Sequence, residues 1–78
     1  MYTLRTAVEQ TIIDLAYKKT PLDYITTSEV MIRLPHQGPQ KVTRATVMQE
    51  MQLVARIHRW TVWAGISGPV IDVGSIFP

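Results

Sequence analysis

The chain has 78 residues, no cysteine, 46% hydrophobic residues and a formal net charge of +2. Such a chain is one domain of residues 1–78, near the lower size limit for a self-sufficient core, and short chains often borrow stability from a partner subunit. It is too apolar for a disordered tail and has no run near the roughly 20 apolar residues of a membrane span; without cysteine or the pattern of a signal peptide, a reducing, cytoplasmic setting is expected.

Residues 3–19 read as a first helix. Leu4, Val8, Ile12 and Leu15 recur on one face, Pro21 ends the element, and Lys18 and Lys19 fall in its last turn, near the negative end of the helix dipole. Ile13 and Tyr17 lie four apart on the opposite face, as scattered surface apolarity or as a small patch for a partner or a second copy. Tyr24 and Ile25 are short and β-prone. Thr26-Thr27-Ser28-Glu29 fits a capping box and opens a short helix over residues 27–34, with Val30, Met31 and Leu34 inward. The prolines and glycine of PHQGPQK make a loop.

Thr43 can cap a third helix over residues 43–56, whose core stripe is Val47, Met51 and Val54. The period then changes to alternation. The spacing predicts a hairpin with strands over about 57–66 and 70–77 and a turn at Ser67-Gly68-Pro69. Trp60 and Val62 are expected on one side, Arg59, Thr61 and Trp63 on the other. Ile71, Val73 and Phe77 are expected to share a face of the second strand.

The charge is uneven. Residues 1–30 sum to −1, residues 31–63 to +4 and residues 64–78 to −1. A local excess of positive charge is the footprint a polyanion partner needs, although five basic residues in a stretch of that size also occur in ordinary soluble domains.

The order helix, extended piece, short helix, loop, helix, hairpin resembles the winged helix-turn-helix domain over nearly the whole chain. ITTSEVMIRL is similar to the segment forming the second helix, KVTRATVMQEMQLV to the recognition helix, and the stretch from Ile57 to Phe77 to the wing. The eight residues from Pro35 to Val42 exceed the three or four of a tight helix-turn-helix. The resemblance implies an α+β fold, three helices with a C-terminal β-hairpin wing. It implies a double-stranded DNA-binding transcription regulator of the small phage, plasmid or operon type, acting as a homodimer.

On a helical wheel the outer face of the third helix carries Ala45, Gln49, Gln52 and Arg56, with Thr46 nearby and no acid on the stripe. Gln49 can pair bidentately with adenine, Arg44 can read guanine, and Thr46 or Ala45 can touch a thymine methyl. Thr43, Lys41, Arg56 and Arg59 would contact phosphates. Arg44 lies toward one flank of the core stripe and Glu50 toward the other. Trp63 is expected to pack against the domain edge or a second subunit rather than stack on a base. The alternative is a protein-interaction module on the same scaffold, using Ile13, Tyr17 and Trp63. RNA binding ranks third, since no aromatic platform is visible.

Other chemistry has little support. His36 and His58 are 22 residues apart, with no zinc spacing around them. There is no nucleophile elbow, no Gly-rich phosphate loop and no clustered acid pair. Neither an enzyme nor a cofactor or metal is expected.

Overall fold

A short polar cap starts each helix. Thr3 accepts the Thr6 amide at 3.2 Å and opens α1, Leu4–Tyr17. The computed structural model describes residues 3–34 and 42–77. Pro35 to Lys41, which include His36 and Lys41, lie outside the described residues. The α1 stripe is buried as its spacing dictates, with Val8, Ile12 and Leu15 in the core and Leu4 against it. The helix stops at Tyr17, ahead of Pro21, so Lys18 and Lys19 fall beyond the last turn rather than within it. Lys19 pairs with Glu29 at 2.8 Å instead.

Strand β1, Tyr24–Thr26, leads directly into α2, Thr27–Arg33. Both halves of the capping box form. Thr26 Oγ1 accepts the Glu29 amide at 3.2 Å, and Glu29 Oε1 accepts the Thr26 amide at 3.2 Å. Burial raises the Glu29 pKa, but the Lys19 ammonium and the Thr26 amide outweigh it and hold the carboxyl below its ordinary value. Val30 is buried, with Met31 and Leu34 packed beside it.

Thr43 caps α3, Arg44–His58. This helix runs two residues past the expected end. Its stop is a Schellman-type closure: the Trp60 amide bonds Ala55 O at 2.8 Å, the Arg59 amide bonds Arg56 O at 3.3 Å, and Arg59 takes the left-handed conformation with φ 61°. Arg59 therefore closes a helix instead of starting a strand. The β-forming run that suggested a strand from residue 57 is spent on the last turn of α3.

The hairpin is correspondingly short: β2 is Val62–Gly65 and β3 is Gly68–Asp72. The turn is Ile66-Ser67, and Gly68 takes the positive φ of 127° that only glycine adopts without strain. The three strands form an antiparallel sheet in the order β1-β3-β2. Pro69 thus sits in the central strand, where proline is unusual. β1 pairs only as far as Thr26 opposite Val70. The missing amide of Pro69 points past the end of β1, and its carbonyl, on the same side, accepts the Thr27 hydroxyl at 2.8 Å.

After Asp72 the chain makes a 3-10 turn, Val73–Ser75, with Asp72 Oδ1 accepting the Gly74 amide at 3.0 Å. That turn shifts the side-chain phase. Ile76, not Phe77, is buried with Ile71 and Val73. Phe77 is exposed and lies against Tyr17, ring centroids 4.7 Å apart. No helix is long and apolar enough to cross a membrane among the described residues.

Candidate functional site

The third helix presents its inner face to the core through Val47, Met51, Val54 and Ala55. Its outer face carries Ala45, Gln49 and Arg56, all exposed. Two apolar residues are exposed beside that face, toward Glu50: Leu53 and Ile57, the latter 64% exposed. Gln52 is exposed at the margin of this face and lines the groove between α3 and β2.

At the amino-terminal end, Thr43 and Thr46 are bound to each other. Thr43 Oγ1 accepts the Thr46 amide at 3.2 Å, and the two hydroxyls lie 2.8 Å apart. Thr46 is half-buried. Arg44 does reach round from the flank, but toward the protein. Its Nη2 donates to the Ser67 carbonyl at 2.6 Å and to Ser28 Oγ at 3.1 Å, and its Nε donates to Ser67 O at 3.0 Å. Its third nitrogen faces Met31 Sδ at 3.8 Å. One side chain thus ties the start of α3 to the start of α2 and the hairpin turn. Ser67, Ser28 and Met31 carry no sequence signal for this role; only the off-stripe position of Arg44 hints at it.

Glu50, the acid nearest the outer face, is taken up by α1. Arg5 Nε donates to its Oε2 at 2.9 Å, and the Glu50 side chain is 18% exposed. Its charge is therefore neutralised beside the outer stripe. At the other end of the helix, Arg56 and Arg59 are exposed, and neither has an ion pair or side-chain hydrogen bond among the described residues. His58 faces Glu9, Nε2 to Oε2 at 3.1 Å, and stacks on Trp60 with centroids 4.6 Å apart. That places His58 in the packing of α1, α3 and the strand entry.

The expected site residues therefore divide. Gln49 and Arg56 share the outer face, with Arg59 one residue past the helix end. Thr43 and Thr46 sit at its start, Arg44 turns away to the hairpin, and Lys41 is outside the described residues. Ile13 is half-buried and Tyr17 74% exposed on α1, whereas Trp63, 55% exposed, is on β2. No group of three His, Cys, Asp or Glu that could hold a metal ion occurs among the described residues.

Comparison of the chain with protein-family models, with curated proteins and with solved structures finds no match. Among the described residues the molecule is a small α+β fold of three helices and a three-stranded antiparallel sheet.

Proposed function

We propose that the chain is a sequence-specific, double-stranded DNA-binding transcription regulator of the winged helix-turn-helix kind, with α3 in the major groove. The observation that carries this reading is the outer face of α3. Ala45, Gln49 and Arg56 are exposed there, and the neighbouring acid, Glu50, is neutralised by Arg5. The element order and the β1-β3-β2 sheet are compatible with such a domain. Gln49 would face base edges, where its amide can pair with adenine, and Ala45 a thymine methyl. Arg56 and Arg59, with Lys41, would neutralise phosphates. Arg44 has a different part in this scheme, fixing the hairpin turn beside the helix start.

A second reading follows from Leu53 and Ile57. Apolar side chains exposed beside the outer face, on its Glu50 side, suit a protein partner better than a phosphate backbone.

Fluorescence anisotropy with random duplex and with source-genome fragments, at about 50 and 200 mM salt, separates the two. For three phosphate contacts, affinity should fall about 40-fold between these salts. Gln49→Ala should weaken binding to the preferred fragment while leaving random duplex nearly unchanged. Arg56→Gln should weaken both and lower the salt slope by about one. No binding at low salt would overturn the DNA reading. Capture of a partner that survives nuclease and high salt and is lost in Ile57→Asp would favour the second.

A further inference from the structure

Strand β2 is one of the two edges of the sheet, and its four residues include no lysine and no outward proline to blunt edge pairing. From Trp60 to Pro69 there is no charged residue. Natural edges are commonly blunted by lysine, an outward proline or a covering loop. Here the β2 residues are all exposed, and Ile66 beside them is 108% exposed.

The register fixes which backbone groups of β2 are unpaired. The Asp72 amide bonds Thr61 O at 3.0 Å, and the register sets Trp63 opposite Val70 and Gly65 opposite Gly68. Antiparallel ladders alternate bonded and non-bonded pairs. Trp63 and Gly65 therefore bond to β3, while Val62 and Ala64 aim their amides and carbonyls outward. The proline opposite Ala64 agrees, since Pro69 has no amide to give.

We propose that this edge pairs with the same edge of a second copy, antiparallel about a two-fold axis through Trp63. A two-fold makes one edge serve both partners. Of the possible registers, only Val62 opposite the second copy's Ala64 uses both outward residues of each copy. It brings Trp63 opposite its own mate at a non-bonded position, where cross-strand side chains come closest. On the other face, Val62 and Ala64 border a groove of about 380 Å³ with Met48 and Gln52. The second copy's Val62 and Ala64 extend into that groove. The axis is normal to the sheet, so both α3 helices lie on one side of a continuous six-stranded sheet.

Trp63, Ile66 and the groove walls bring together roughly 400 Å² of apolar surface per copy, Trp63 adding about half of the 150–250 Å² of a fully buried aromatic because it is 55% exposed. Stable interfaces bury about 800 Å² per partner, so this smaller contact makes a reversible dimer that forms at high protein concentration. Dimerisation stands independently of what α3 binds.

Because the chain has no cysteine, a single introduced thiol reports the register. Trp63→Cys sets two Cα atoms about 4.5 Å apart across the axis, within disulfide range. Thr61→Cys, which faces a different residue of the mate, is the control. Under mild oxidant, Trp63→Cys should cross-link at least about tenfold faster; equal rates would overturn the register. Sedimentation of the unaltered chain and of Ala64→Pro tests the edge itself. The substitution removes an outward amide and no bond to β3, so the monomer keeps its circular dichroism while association weakens at least about tenfold. An unaltered chain that stays monomeric at several hundred micromolar, or an Ala64→Pro chain that dimerises equally well, would overturn the proposal.

Discussion

Arg44 and Arg56 stand about three turns apart on α3, and their surroundings differ in kind. Arg44 is at the positive end of the helix dipole, where a cation is disfavoured by about 0.3–1 kcal/mol. It is held there by the Ser67 carbonyl and the Ser28 hydroxyl. Arg56 is in the last turn, where the dipole favours it, and is exposed. The first arginine joins three elements, and the second is available to a ligand. Residue type alone would give both the same role; what lies opposite each guanidinium decides between architecture and contact.

The contrast can be broken most forcefully at Arg44. Arg44→Ala should cost about 1.5–3 kcal/mol in urea unfolding, since it removes charge-assisted bonds and leaves the hairpin turn without its anchor. Arg56→Gln should stay within about 0.5 kcal/mol in the same assay. Equal costs would erase the distinction.

A second, smaller test concerns the polar end that Arg44 joins. Thr26→Ala removes half of the α2 capping box and should cost about 1 kcal/mol. The same cap responds to acid. The Glu29 carboxyl is lowered in the folded chain against its ordinary 4.5, so its contribution is complete above that value. It is lost as pH falls through the lowered folded value. Asp23, lowered by the Thr20 amide and hydroxyl, acts in the same direction. Urea midpoints should therefore fall from about pH 4.5 downward, and in Thr26→Ala the acid-dependent part should shrink.

The smallest effect is at the other end of α3. Arg59 occupies a left-handed conformation that glycine adopts at lower cost. Arg59→Gly should stabilise the chain by about 0.5–1 kcal/mol, read as a raised urea midpoint. A loss of stability would mean that the Arg59 side chain packs more than its exposure suggests.

Much of the fold was legible because local chemistry and periodicity agreed. The α1 stripe, the capping box and the Thr43 cap each follow from a few residues. The end of α3 was not legible, because an arginine does what a glycine usually advertises. Ile57, His58 and Arg59 also look strand-like when read alone. Ser67-Gly68-Pro69 reads as a turn, yet Pro69 is a central-strand residue, tolerated because β1 ends one pair earlier. The outer face of α3 was legible as spacing. Its engagement was not, since the Arg5–Glu50 pair and the Arg44 anchor join residues 45 and 23 positions apart.

Hairpin tips are where chains usually accept inserted sequence. This one is an exception, since the Ser67 carbonyl holds Arg44 and the Pro69 carbonyl holds Thr27. A tag or reporter loop spliced between Ile66 and Ser67 would loosen the starts of both α2 and α3. A better graft point is Leu22 in the turn after α1, 89% exposed and ahead of the Asp23 carbonyl that accepts the Val73 amide at 3.1 Å.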